Sequence, residues 1–354
     1  MDEIPVTGLE ELESHLRIVS ENPDTPLNAK LFDEVELQLN DSNTSPLIPR
    51  LLPNLTHILL TYDKDPTILA TLSIKLLRPI HFTQALTLAS EDALIQALRS
   101  PVTAANILAI TVLEKATRAP SDTAILSIMK GVVESFIRTW LSTPHVEVGE
   151  KATQVLGNLL EVDCDRRSSA GIDTKMNGMQ LAGTYGQGLL WRRIFEDRDI
   201  YDLIFSLCSS KTVDTEEGEL DERQKSLAQG RLLRLLPKLA ALDFPTVTRT
   251  NFPDIEQRYG LQDGDHGLLF FAMVDMVDKQ DILMHLNLID LYIEFLEKMS
   301  TTELTQSTLD YLAGLTKKVA GSDGALYKSL EAIALSPDSP PELVDLSVKL
   351  SRQQ

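Results

Sequence analysis

Residues 132–145 read Val132-Val133-Glu134-Ser135-Phe136-Ile137-Arg138-Thr139-Trp140-Leu141-Ser142-Thr143-Pro144-His145. Val132, Val133, Phe136, Ile137, Trp140 and Leu141 stand three and four apart, which is the period of one apolar helix face. The run closes on a hydroxyl residue followed by proline. Such a pair opens a helix, because the first side chain can accept a free first-turn amide and proline sits where no amide partner is needed. Thr25-Pro26, Ser45-Pro46, Asp65-Pro66 and Ser100-Pro101 repeat the pattern. With Ser45-Pro46 set aside as the start of a first helix, the marks at 25, 65, 100 and 143 lie 40, 35 and 43 residues apart. Two helices and two turns fill that interval, the size of HEAT or armadillo units of about 40–47 residues.

Working outward, the apolar spacing predicts helix pairs at 8–20 with 26–39, 46–61 with 66–78, 82–98 with 101–117 and 121–141 with 144–161. Further pairs follow at 189–208 with 221–242, 268–277 with 280–299 and 302–319 with 324–335, with a closing helix after Pro340-Pro341. The expected fold is all-α, a HEAT/armadillo-like helical-repeat solenoid of about seven helix pairs, with 1–354 a single solenoid. Long loops are expected at 163–188, which holds five glycines, and at the acidic 211–220, with an irregular stretch through 244–267.

Composition agrees. The chain has 354 residues, 10 Phe, 7 Tyr and 2 Trp, while leucine recurs throughout, which suits helices packed on helices. A net charge of −19 argues against an extended basic surface, so no direct nucleic-acid partner is expected. No apolar run approaches the ~18–20 residues of a membrane span, and no membrane partner is expected. Two cysteines are too few for a disulfide framework, and Met1-Asp2-Glu3 opens no basic-then-apolar leader, so cytoplasm or nucleus is the expected compartment.

Motifs for chemistry are missing. The histidines at 15, 57, 81, 145, 266 and 285 form no HExxH pattern, and Cys164 and Cys208 have no CxxC partner. Cys164 stands between Asp163 and Asp165, whose charge disfavours a thiolate. Neither a GxSxG elbow nor a GK[ST] loop is present. Gly183-Thr184-Tyr185-Gly186-Gln187-Gly188 has the spacing of a flexible connection rather than of a dinucleotide loop. Asp263-Gly264-Asp265-His266-Gly267 lacks the remaining ligands of a calcium loop and reads as a turn capping the next helix. No catalytic residue, cofactor or metal is expected, and the chain reads as no enzyme.

One charged feature stands out. From Arg223 to Lys238 five basic residues occur without an acidic one. On a helix Arg223, Arg231, Arg234 and Lys238 fall within about 80° of arc, opposite Leu232, Leu235, Leu236 and Leu239. The arc is expected to face solvent, either as a docking stripe for an acidic partner or as a solvated face balancing the adjacent acidic loop.

Gly188-Leu189-Leu190-Trp191-Arg192-Arg193-Ile194-Phe195, with Asp199 to Leu207 after it, is the most distinctive segment. It resembles the amino-terminal domain of the fungal proteasome base-assembly chaperones. These are helical-repeat proteins of the "non-ATPase regulatory subunit five" type, whose fungal members are also labelled mismatch-repair proteins. The resemblance is sharp over 188–208 and persists elsewhere as a helix-pair pattern. It implies a non-catalytic chaperone, a monomer when free, that binds the carboxy-terminal domain of a proteasomal AAA ATPase subunit during regulatory-particle base assembly. The alternative is a general helical-repeat scaffold in nuclear transport or mismatch-repair complexes. The chain is shorter than the family's better-known members. Trp191 and Phe195, one turn apart, are expected in the core, while Arg192 and Arg193, which cannot share a face, are candidate partner contacts with Arg223, Arg231, Arg234 and Lys238.

Overall fold

The computed structural model describes residues 6–40, 42–62, 64–165, 185–210, 220–262, 266–321, 323–335 and 339–352. Among them there is no strand, and the all-α helical-repeat solenoid is as expected. The proline marks work through a shared device. Asp65 Oδ1 accepts from the Thr67 amide (3.0 Å), Ser100 Oγ from Val102 (3.1 Å) and Thr143 Oγ1 from His145 (3.3 Å). Each is a bond to the amide two residues on, which turns the chain so that the helix begins just past the proline. Thr25-Pro26 departs from this, because Asn28 takes the capping role by accepting from the Leu31 amide at 3.3 Å.

Two helix pairs open the chain, α1 (Leu9–Glu21) with α2 (Ala29–Gln38) and α3 (Ile48–Thr61) with α4 (Thr67–Leu77). The next three units are triplets rather than pairs. They are α5 (Phe82–Ala85), α6 (Glu91–Arg99) and α7 (Thr103–Glu114); α8 (Pro120–Ile128), α9 (Lys130–Ser142) and α10 (Val146–Asp163); and α11 (Leu189–Phe195), α12 (Arg198–Cys208) and α13 (Glu222–Leu242). The single first helices expected at 82–98, 121–141 and 189–208 are therefore each broken. Ser90 and Asp197 start new helices by accepting from the amides of Ala93 and Asp199, and the non-helical ψ of 68° at Met129 breaks the third. Three helices in about 43 residues is the armadillo variant of the repeat.

Beyond α13 come the short helices α14 (Phe244–Thr248) and α15 (Pro253–Arg258), where an irregular stretch was expected, and α16 (Leu268–Phe270), which opens the helix expected at 268–277. A π-helical turn at Phe271–Asp275 leads to α17 (Ile282–Ser300), and α18 (Gln306–Gly321), α19 (Gly324–Leu335) and α20 (Pro341–Arg352) close the chain.

Equivalent helices stack: α4, α7, α10, α13 and α17 pack in succession as one row, and α6, α9 and α12 as another. Buried apolar side chains run as one cluster from Leu12 to Leu350, so each unit covers the face its neighbour exposes. The loops expected at 163–188 and 211–220 fall mostly on 166–184 and 211–219, outside the described residues, as do Gly183, Thr184 and Asp263 to Asp265. Their flanks are fixed: α10 ends at Asp163, and Gly188, at φ 66°, precedes α11.

Candidate functional site

Helix α13 begins with a capping box, in which Asp221 accepts from the Gln224 amide and the Gln224 side chain accepts from the Asp221 amide. Its leucines at 232, 235, 236 and 239 are buried as expected. The basic arc opposite them is not an open stripe, because α10 packs against it. Arg231 is only 8% exposed. Its Nη1 donates to the carbonyls of Trp140 (3.0 Å) and Leu141 (3.1 Å), and its Nη2 to that of His145 (3.3 Å). These carbonyls lie at the end of α9 and just beyond it, where helical partners run out and the macrodipole is negative. Burial, with the neighbouring Arg234 charge, holds the guanidinium below its ordinary value, yet arginine stays charged at neutral pH.

Gly149 on α10 makes this possible, since a β-carbon there would overlap the guanidinium. Farther along, Arg234 pairs with Glu150 (2.8 Å), and Lys238 pairs with Glu161 (2.9 Å) and donates to Asn158 Oδ1 (3.0 Å). Three of the four arc residues thus join adjacent units. A wheel shows which side opposes the leucines but not which helix covers that side. Arg234 and Glu150 are both more than half exposed, so Arg234→Glu is expected to shift stability by no more than ~1 kcal/mol in a urea titration.

Arg192 and Arg193 diverge as their adjacency requires. Arg193 Nε donates to the Ser127 carbonyl on α8 (2.9 Å) and its Nη1 pairs with Asp197 (2.8 Å), whereas Arg192 is exposed over the carbonyls of Gln187 and Gly188. Burial alone would raise the Asp197 carboxyl, but hydrogen bonds from Lys130 and Arg193 hold it below the usual range. Trp191 and Phe195 stack in the core at 5.4 Å, with Trp191 Nε1 donating to the Leu160 carbonyl (2.8 Å). Both cysteines are buried; burial pushes the Cys208 thiol well up, and the Cys164 Sγ lies 3.4 Å from the Leu242 carbonyl. No cluster of three metal-ligating side chains occurs among the described residues. No described helix is long and apolar enough to cross a membrane.

Between α10, α13 and α17 lies a half-open groove of about 460 Å³. Arg223, the fourth arc residue, stands on its α13 wall with Arg234, and Asp290 and Glu294 stand on its α17 wall. Leu283 lines it at 68% exposure and Val146 at 51%. Ile282 and Leu286, also exposed, flank Leu283 along α17. Sequence reasoning missed these apolar residues. Their signal was that α17 carries apolar residues on every side (Ile282, Leu283, Met284, Leu286, Leu288, Ile289), more than one buried face requires.

Residues 7–159, which run from the residue before Gly8 at the start of α1 into the last turn of α10, match the protein family described as "DNA mismatch repair protein HSM3, N terminal domain". Over that span, which is less than half of the 354 residues, the chain is similar to this family. The label is the fungal one for the proteasome base-assembly chaperones, so the resemblance stands, but on different residues. The segment 188–208, where the sequence resemblance is sharpest, lies beyond the matched domain. The α10 wall of the groove, with Val146 and Glu150, is inside the domain, whereas the α13 and α17 walls lie outside it. No curated protein sequence matches the chain.

Proposed function

We propose that the chain is a non-catalytic assembly chaperone that binds the carboxy-terminal domain of a proteasomal AAA ATPase subunit while the base of the regulatory particle is built. The observation that supports this is the family match over 7–159 on a helical-repeat frame. Such a frame offers long surfaces from stacked helices and acts by occupancy, keeping other partners off the bound domain until it leaves. Its place of work is the cytoplasm or nucleus, where regulatory particles assemble.

The test is capture of each purified ATPase carboxy-terminal domain on the immobilised full chain. One domain is expected to bind, and binding is expected to survive chelation and thiol blocking. Mature proteasomes are expected to lack the chain, and equal recovery with finished particles would make it a resident subunit instead. The words "mismatch repair" in the family's description support a second reading, an adaptor in a repair complex. Direct DNA contact would need free cations. In the basic stretch Arg231 is buried and Arg234 and Lys238 are paired with glutamates, which leaves Arg223 and too few cations to hold a phosphate backbone, so salt-dependent retention on duplex DNA is not expected.

A further inference from the structure

Resting on that chaperone reading, we infer that the α10/α13/α17 groove is the docking surface, and that its occupant is an amphipathic helix of the bound domain. This helix inserts an apolar ridge between Val146 and Leu283, with a carboxylate toward Arg223 and a cation toward Asp290. Three observations converge on it. Val146, Ile282, Leu283 and Leu286 form the densest set of exposed large apolar side chains in the described structure, gathered at the start of α10 and α17. Single exposed apolar residues are ordinary, but a contiguous group beside a groove marks an interaction site. The groove floor is already apolar, with Met284 and Leu291 below it, and Gly230 leaves open space where another residue would place a side chain.

The walls carry opposite charge. Arg223 on α13 and Asp290 on α17 both line the groove, and neither has an ion-pair partner among the described residues. Opposite charges left unpaired across an apolar floor select a partner that is apolar along one line and differently charged on its two flanks. A helix presenting anchors at i, i+3 or i+4 and i+7 has that form. Charge complementarity then sets its direction in the groove.

The experiment measures the affinity of the full chain for the ATPase carboxy-terminal domain captured above. Its variants are Leu283→Glu/Leu286→Glu, Arg223→Glu and Asp290→Lys, with Leu37→Glu, an exposed site on α2, as control. The double variant is expected to weaken binding by about thirtyfold or more, as loss of a central apolar anchor does. Arg223→Glu and Asp290→Lys are expected to weaken it by roughly tenfold each, while the control leaves it unchanged. Amide exchange along α17 and the first half of α13 is expected to slow in the complex. Wild-type affinity in the double variant, at an unchanged melting temperature and with no slowed exchange, would overturn the groove assignment while leaving the chaperone reading intact. Failure of the wild type to bind any ATPase domain would overturn both. If sedimentation shows a wild-type dimer that the double variant abolishes, the groove belongs to a second copy of the chain and the inference is wrong.

Discussion

Arg231→Ala is expected to cost about 3–5 kcal/mol of stability, because it strips three main-chain carbonyls of a charged donor in a site closed to water. The reason lies in the repeat itself. In the third unit Asn106, fourth residue of α7, donates through Nδ2 to the carbonyls of Ala97, Leu98 and Ser100 at 2.9 Å each, and so closes the end of α6. Moved on by the 43 residues that separate Ser100-Pro101 from Thr143-Pro144, Asn106 becomes Gly149, and Ala97 and Leu98 become Trp140 and Leu141. The fourth residue of α10 therefore has no side chain, and the guanidinium from the next unit occupies its place and serves the same two carbonyls. The fifth unit uses the device again, with Gln229 on α13 donating to the Cys208 carbonyl at the end of α12.

Two further variants discriminate this account from general overpacking. Gly149→Ala is expected to destabilise the wild type by about 2–3 kcal/mol, since the β-carbon must displace the guanidinium, but to cost little once Arg231 is alanine. Gly149→Asn is expected to recover part of the loss in the Arg231→Ala background by restoring the arrangement of the third unit. Urea midpoints of the five proteins measure all of these terms, and strict additivity would show that Gly149 and Arg231 do not share the site. Reversing Arg231, Arg234 and Lys238 together is expected to unsettle the fold for the same reason. Arg231 carries most of the cost, the half-buried Lys238 less, and the exposed Arg234 little.

Repeat length, helix class and unit boundaries were legible because they depend on local chemistry: apolar period, X-Pro turns and the capping residues at Ser90 and Asp197, although those two caps were passed over in favour of longer helices. What packs on a polar face was not legible from the wheel of α13. Its Leu233 and Pro237, away from the main leucine face, are buried too, because α13 lies inside a row with α10 on one side and α17 on the other. The 43-residue offset between Asn106 and Gly149 was the available hint, and it requires comparing units rather than scanning one helix. The groove was hidden for a related reason, since it arises only where three helices from successive units meet.

The junction before α11 carries the second large effect, and Asp163→Ala is expected to cost about 2–4 kcal/mol. Asp163 is fully buried, and its Oδ2 accepts from the amides of Leu190 (2.7 Å) and Trp191 (3.1 Å), while its own carbonyl accepts from the Gly188 amide at 2.9 Å. One residue at the end of α10 thereby fixes the start of α11 across 25 intervening positions, and a β-carbon at Gly186 would collide with its main chain. Burial pushes its carboxyl above the usual 3.8, with the Trp191 and Leu190 amides opposing the rise. A carboxyl raised on folding holds its proton more tightly in the folded chain, so its contribution to stability falls as pH climbs from 3.8 through the raised value and then levels off. Asp163→Asn keeps an acceptor for the two amides and has no proton to lose. Relative to that variant, the wild type is expected to lose stability as pH rises above the usual 3.8, as followed by the fluorescence of Trp191 and Trp140 in urea. A difference that stays flat as pH rises above 3.8 would mean that α11 is held by an ordinary ionised cap, with burial contributing nothing to its titration.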